Sequence, residues 1–432
     1  MKIEVQSKKL IKPSAPTPEE CRKHGLSFID DLLFCEYFEV IFFYRSHGRM
    51  HEVDTLQRLR LLEGSLSETL ALFYPLAGRY VEDGLFIDCN DQGVEFIQAK
   101  EEGTLDELLQ GDLDADLLNC LSEYPMKAAN RPLVVVQANS FECGGLAIGV
   151  RFCHKIGDMF TMATFMNSWA TTCRSGIHEV VPPNFELLSL FSVKERAFMQ
   201  WPRISLGKKL ALVRLRFSDA ALSRLKAASN ASYSSDSVAN NSQRSRVEVV
   251  FALICKALIS IDRATKGLST PFTISTAMNL REKVQWKIPR NACGNFIAQI
   301  TIPFTVEERE LDFNGILNLI GNALRNAKMK YAAIADAGVL RSTVTDAMRD
   351  YFGLLAKDKE NMILLGSWCR FPLYDCDFGW GKPDLVIDIG PPFRSVFLMD
   401  SPIDGGIDAR ITLNQDEMVL FKQNPDIVAC TS

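Results

Sequence analysis

Histidine is the side chain that ordinarily titrates near neutrality, and the five histidines of this 432-residue chain sit in different surroundings. His24 ends the charged run Cys21-Arg-Lys-His24, His47 and His51 flank Gly48-Arg49-Met50, and His178 stands in a proline-containing stretch. These four read as surface residues. His154 instead follows the apolar run from Leu146 to Cys153 directly and opens His154-Lys-Ile-Gly-Asp158. A strand end just before a helix is where mixed α/β proteins commonly carry reactive side chains. An imidazole there suits general-base work on a hydroxyl. Asp158, four residues on, either orients that ring as in a catalytic triad or belongs with it to the cap of a helix. Cys153 beside His154 raises a Cys–His nucleophile reading. Neighbours on a strand point to opposite faces, however, which turns Cys153 toward the core.

A second landmark is Asp377-Phe-Gly-Trp-Gly381, followed by Lys382-Pro383. Asp-Phe-Gly alone would suggest a protein kinase, but the chain has no Gly-rich loop, no Val-Ala-Ile-Lys and no His-Arg-Asp. Phosphate-cradling loops and a Gly-x-Ser-x-Gly nucleophile elbow are missing too. The 12 cysteines contain no Cys-x-x-Cys pair, so neither a zinc knuckle nor a thioredoxin motif is expected, and no metal.

The elements that must position these residues alternate between strand-like and helix-like stretches, which reads as mixed α/β. Residues Asp54 to Tyr74 carry Leu56, Leu59, Leu62, Leu66 and Leu70 at helical spacing. Pro132 to Asn139 and Leu146 to Cys153 read as strands joined by a Glu142-Cys-Gly-Gly145 turn, and Met159 to Cys173 as a helix. From Ser175 periodicity fades, and Pro182, Pro183 and Pro202 mark a linker. The resulting division is residues 1–178 for a first domain, 179–208 for a crossover, and 209–432 for a second domain. Beyond the linker come a strand (Leu210 to Phe217), a helix from Asp219, and a Ser- and Asn-rich surface loop from Ala227 to Ser245. A helix from Val247 to Ala264, a strand after Phe296, helices around Leu311 to Tyr331 and Val339 to Leu355, and strands near Leu385, Ser395 and Ile407 follow.

At this length two domains are the default. Composition is that of an ordinary globular protein, 47% hydrophobic and 23% charged, with a net charge of −5 and no basic block, which argues against nucleic acid as a partner. The polar N-terminus has no signal-peptide core, and no run of eighteen apolar residues occurs. A cytoplasmic monomer with free thiols is the expectation.

With both motifs in hand the chain resembles the plant BAHD acyltransferases, whose paired signature His154-Lys-Ile-Gly-Asp158 and Asp377-Phe-Gly-Trp-Gly381 match. Phe73-Tyr-Pro-Leu-Ala-Gly-Arg79, Phe141-Glu-Cys-Gly-Gly145, Met278-Asn-Leu-Arg281, Gly294-Asn295 and Ser367-Trp-Cys-Arg-Phe-Pro372 extend the likeness along the chain, in order. One departure is Asn279-Leu-Arg-Glu-Lys283 followed by Trp286-Lys-Ile-Pro289, in place of Asn-Leu-Arg-x-Arg and a proline-rich stretch. The resemblance implies two chloramphenicol-acetyltransferase-like domains, each a mixed sheet flanked by helices, with a tunnel between them. It also implies acyl-CoA as co-substrate, no permanently bound cofactor and no metal. The branch it looks closest to acetylates alkaloid and other specialised-metabolite alcohols. In the family Asp158 turns away from the reacting atoms to pair with Arg281, and Asp377 shapes the CoA side; His154, Asp158 and Asp377 make up the expected catalytic set.

For the CoA phosphates, Ser245-Arg246 combines a helix N-terminus with a positive side chain, a plain N-cap serine being the other reading. The acceptor pocket is expected from Ser27 to Phe38 and Met159 to Met166, whose apolar character favours a bulky hydrophobic alcohol. A family fold kept only as a non-catalytic partner of another enzyme, such as a fatty-acid elongase, is the alternative.

Overall fold

The computed structural model describes residues 3–46, 52–110, 113, 115–123, 130–193, 209–231, 244–267, 271–358 and 360–431. His47 and His51, most of the Ser- and Asn-rich stretch and the later part of the predicted linker lie outside them. The chain forms two compact units that are discontinuous in sequence. The first comprises Met1–Phe198, Lys287–Phe296 and Phe371–Ile389; the second comprises Met199–Trp286, Ile297–Arg370 and Gly390–Ser432.

In the first unit the strands are β1 (Ile3–Ile11), β2 (Lys23–Gly25), β3 (Tyr37–Tyr44), β4 (Arg79–Val81), β5 (Phe86–Asp88), β6 (Val94–Glu101), β7 (Val134–Phe141) and β8 (Leu146–Cys153). The second unit holds β9 (Leu210–Phe217), β10 (Phe272–Asn279), β11 (Ile297–Phe304) and β12 (Met362–Ser367). Strand β13 (Leu385–Asp388) returns to the first unit, and β14 (Ser395–Asp400) and β15 (Ile407–Asn414) complete the second.

A mixed six-stranded sheet of order β1-β6-β7-β8-β3-β13 forms the first unit's core, beside a small sheet β2-β5-β4. Strand β8 lies between β7 and β3, antiparallel to both, and all eight of its residues are buried. A strand covered on both faces needs a continuous apolar run, which is why Leu146 to Cys153 does not alternate. Its one charge, Arg151, is neutralised by Glu39 at 2.9 Å and donates to Ser122 O at 2.7 Å. Gly144, at φ +80°, supplies the left-handed residue of the β7–β8 turn.

Helix Glu52–Leu72 buries Leu59, Leu62, Leu66 and Leu70 as the spacing predicts, but Leu56 stands half exposed, so the buried stripe begins one turn later. Trp169 of helix Met159–Ser175 donates to Leu62 O at 3.1 Å and joins the two helices. The described part of the predicted crossover is not a bare linker. Helix Glu186–Leu190 buries Leu187, Phe191 O accepts from Phe28 N at 2.8 Å, and Asn184 bridges Ala292. Likewise Phe371–Ile389, read as second-domain sequence, packs with the first unit because β13 pairs antiparallel with β3, from Leu385 opposite Phe43 to Asp388 opposite Val40.

The second unit is built on a mixed sheet of order β11-β10-β12-β14-β15-β9. Helix Arg246–Lys266 presents Val250, Leu253, Ile254, Ala257, Leu258 and Ile261 to its core, one face at helical spacing. Ala227 to Ala231, expected in a loop, belongs to helix Asp219–Ala231. Among the described residues no helix is long and apolar enough to cross a membrane.

A buried charge cluster ties helix Arg246–Lys266 to the residue that leads into β14 and to helix Gln415–Lys422. Arg394 contacts Asp262 at 3.1 Å and Glu417 at 3.3 Å, and Lys266 reaches Asp262 at 3.1 Å. Removing one member of such a cluster leaves its partner's charge under-compensated in a low-dielectric setting. Asp262→Ala is therefore expected to lose about 3–5 kcal/mol of stability, read as an earlier denaturant midpoint. An unchanged midpoint would mean that the cluster does not hold the helix.

Candidate active site

Because β8 is central and ends at Cys153, the next residue emerges at a fixed point on the sheet rim. His154 N donates to Glu36 O at 2.8 Å, which anchors its backbone to the segment leading into β3. The half-buried ring meets Phe38 edge-on, with centroids 4.9 Å apart.

The side of the ring away from Phe38's edge is governed by a residue 141 positions later. Asn295 Nδ2 donates to the His154 carbonyl at 2.7 Å and to Asp30 Oδ1 at 2.8 Å. Both of those groups only accept, so the amide cannot be flipped, and Asn295 Oδ1 is the atom turned to His154 Nδ1 at 3.1 Å. An oxygen there requires that Nδ1 carry the proton. Nε2 is then left with the free lone pair that a base needs.

Asp30 closes this arrangement. Its carboxylate accepts from Asn295 N at 2.9 Å, from Asn295 Nδ2, and from Ser27 N at 2.8 Å, while Ser27 Oγ accepts from Asp30 N at 3.2 Å. The Ser27–Asp30 exchange is the capping box of helix Phe28–Leu32. Burial raises the Asp30 carboxyl, against the lowering effect of these hydrogen bonds. Burial also pushes the His154 imidazole below its ordinary 6.5, with a hydrogen bond to the residue's own backbone, then Asp158, Asn295 and Asp30, pulling the other way. The ring is thus kept neutral at physiological pH.

Asp158 serves the same segment from the other side. As N-cap of helix Met159–Ser175, its Oδ1 accepts from Thr161 N at 3.0 Å, and its Oδ2 accepts from Phe296 N at 3.1 Å. Thr161 Oγ1 accepts from Gly294 N at 3.0 Å and lies 2.9 Å from Gly294 O. Residues 294–296, and with them Asn295, are therefore pinned to the helix that follows His154. Gly157 permits this closeness, since a Cβ there would lie 2.7 Å from Thr161 Cγ2. Arg281 lies in the second unit, where Asn279 Oδ1 accepts from its backbone N at 3.0 Å.

Asp377, also in the first unit, organises a different segment. Asp377 Oδ1 accepts from Gly379 N at 2.8 Å and Gly381 N at 2.9 Å, across two glycines at φ +108° and +107°. Burial raises this carboxyl, but the two N–H groups and Arg174, 3.4 Å away, outweigh it and hold Asp377 below the usual range. Arg174 is in the last turn of the helix that Asp158 opens, about 24 Å along its axis. Asp377 thus organises a turn, and Phe378 and Trp380, stacked 5.6 Å apart, seat it against Tyr44.

Ser245 Oγ accepts from Glu248 N at 3.1 Å as a helix cap, and Arg246 Nη2 reaches Asp400 Oδ1 at 2.8 Å, both in the second unit. His178 is exposed as expected, but His24 is not a surface residue. It packs edge-on to Phe185 and Tyr74, and burial lowers it to about 4. A small cavity joins it to the site, lined also by Asp30, Phe73, Thr161, Leu187 and Gly294. Of the two predicted acceptor segments, Asp30 and Thr161 reach this cavity, whereas Phe28, Ile29, Leu32, Met162, Phe165 and Met166 pack in the core.

Asp158→Asn keeps a capping oxygen but sets an amide N–H against either Thr161 N or Phe296 N. The expected result is a loss of about 1–3 kcal/mol in stability together with reduced turnover. An inactive variant of unchanged melting temperature would instead assign Asp158 a direct part in the chemistry.

Known proteins resemble this chain along its whole length. Residues 1–428 match the family model described as Transferase family. Acetyl-CoA-benzylalcohol acetyltransferase of Clarkia breweri is 37% identical over 100% of both chains. Vinorine synthase of Rauvolfia serpentina is 30% identical over 97% of this chain and 96% of its own. A crystal structure of vinorine synthase has a TM-score of 0.82 at 28% identity, covering 100% of this chain and 99% of that one. F. graminearum TRI101, complexed with coenzyme A and T-2 mycotoxin, shares the fold at a TM-score of 0.74 and 17% identity, over 95% of this chain and 99% of its own. With a family match and relatives along its whole length, this chain belongs to the BAHD acyltransferase family.

Proposed function

We propose that this enzyme transfers an acyl group, acetyl first among them, from acyl-CoA to a hydroxyl of a hydrophobic specialised metabolite such as an alkaloid, terpenoid or aromatic alcohol. The observation that carries the reading is the amide of Asn295, held so that its oxygen faces His154 Nδ1 at 3.1 Å. His154 Nε2 takes the hydroxyl proton as the oxygen attacks the thioester carbonyl. The imidazolium so formed donates from Nδ1 to Asn295 Oδ1, with the Asp30 carboxylate behind it. When the C–S bond breaks, the same ring returns its proton to the CoA sulfur. One base serves both steps, and no acyl-enzyme forms. In this reading Asp158 positions residues 294–296, Asp377 shapes the chain around the site, and the enzyme works as a cytoplasmic monomer. Ser245 and Arg246 take a CoA phosphate at a helix N-terminus, with Arg246 exchanging part of its contact with Asp400.

His154→Ala is expected to lower kcat at least about 10²-fold with the fold intact by circular dichroism. In the wild type, initial rates at varied acyl-CoA and alcohol should give intersecting reciprocal plots. A folded variant keeping a tenth of normal turnover removes His154 from the mechanism, and parallel plots remove direct transfer.

The pH profile carries a sign. A general base acts when deprotonated, so activity rises with pH through its pKa, and a lowered pKa moves that limb to the acid side. The acid limb of kcat/KM should therefore have its midpoint below 6.5. A midpoint at or above that value contradicts the buried neutral imidazole.

Arg246→Ala should raise KM for acyl-CoA about tenfold while leaving KM for the alcohol unchanged. An unaltered acyl-CoA KM places the phosphates elsewhere.

A further inference from the structure

Neither proposed step uses a thiol, yet two cysteines 118 residues apart meet beside the base. Cys35 Sγ and Cys153 Sγ are 3.0 Å apart. Cys153 is fully buried on the last position of β8, and Cys35 is half-buried on the segment entering β3, where residue 37 stands opposite residue 153. We propose that Cys35 and Cys153 are a redox modification site, a dithiol that a peroxide converts to a disulfide and so disables His154.

The two thiols are unequal in the way such a pair requires. A hydrogen bond from Cys153 lowers the Cys35 thiol to about 7, against burial, and the nearby positive charges of Arg131 and Lys155 add to the lowering. Arg131 also donates to the Cys35 carbonyl. Burial moves Cys153 well upward. Burial likewise raises Cys173 and Cys430, and takes Cys89 to about 12 and Cys369 to about 11. Cys35 combines partial exposure with thiolate character, the property that sets reaction with peroxide.

The chemistry balances with peroxide as the oxidant. The Cys35 thiolate attacks one peroxide oxygen, an S–O bond forms as the O–O bond breaks, and the leaving hydroxide takes up a proton to become water. Cys153 sulfur then attacks the Cys35 sulfenic sulfur, and hydroxide departs as water with the Cys153 proton. Two thiols and one H2O2 give one disulfide and two waters, and the two electrons lost by sulfur reduce the peroxide.

The consequence for the base follows from what each cysteine precedes. Cys153 is joined to His154, and Cys35 to Glu36, whose carbonyl receives the His154 N–H at 2.8 Å. Drawing the sulfurs from 3.0 Å to the covalent distance of about 2.05 Å pulls both segments together by about 1 Å next to the imidazole. Displacements of that size in a catalytic group cost up to about 10²-fold in rate. This consequence rests on the proposed role of His154; formation of the bond does not.

The test treats the pre-reduced full-length protein with graded H2O2, blocks free thiols with N-ethylmaleimide, and maps non-reduced peptides by mass spectrometry beside turnover. A Cys35–Cys153 cross-link should form before any other pair, turnover should fall at least tenfold in proportion to it, and dithiothreitol should restore both. In Cys153→Ala no cross-link forms, dimedone labels Cys35, and at least half of turnover survives the same dose. Another pair oxidising first, Cys35 remaining fully alkylated, or equal inactivation of Cys153→Ala overturns the proposal. A cross-link that forms and reverses while His154→Ala stays active would leave the modification site standing and overturn its coupling to the base. Absence of the cross-link alongside an inactive His154→Ala would overturn this site alone.

Discussion

The proposed active site depends on the orientation of one amide. Asn295 gives both of its amide protons to acceptors, the His154 carbonyl and the Asp30 carboxylate, so its oxygen has one place to go. That oxygen then dictates which nitrogen of His154 holds the proton. Asp30 is ordered by its own capping box with Ser27, and residues 294–296 by Asp158 and Thr161. Fixing a neutral imidazole in the tautomer that exposes Nε2 needs all three elements: the end of a central strand, a short capped helix and a segment from far along the chain.

Burial and hydrogen bonding act in opposite senses on this group, and the balance matters for the role of base proposed for it. Desolvation favours the neutral ring and lowers the imidazole, while nearby carboxylates favour the charged ring. Desolvation prevails at rest. Once the ring takes a proton, the same Asn295 oxygen and Asp30 charge are already aimed at it, so little reorganisation accompanies proton transfer. Asp158 therefore earns its place through geometry, holding the 294–296 segment against the helix that begins beside it.

His154 and the strand before it were legible in sequence, because a fully apolar run ending in a histidine leaves few alternatives. The strand–turn–strand from Pro132 to Cys153 and most later helices were equally plain. Asn295 stood within a recognisable Gly294-Asn295 pair, yet nothing local reveals that it folds back on residue 154. Asp30 could have been found, since Ser27-x-x-Asp30 before apolar residues is a capping-box pattern, but the motif speaks of a helix start and not of catalysis. His24 was misread because its sequence neighbours are charged, whereas its contacts, Tyr74 and Phe185, come from 50 and 161 residues away. The Asp377 turn and the Cys35–Cys153 meeting share that lesson: spacing shows which residues are reactive, while tertiary pairing decides what each one touches.

The central claim is that His154 rests as the neutral Nδ1–H tautomer with Nε2 free, because Asn295 imposes it. The most direct measurement is 15N NMR of the histidine rings in labelled protein near neutral pH, with His154 assigned by comparison with His154→Gln. The account predicts a protonated Nδ1 and an unprotonated Nε2 for His154, with the preference lost in Asn295→Ala. A proton on Nε2 in the wild type, or an Nδ1–H form that persists without Asn295, would contradict it.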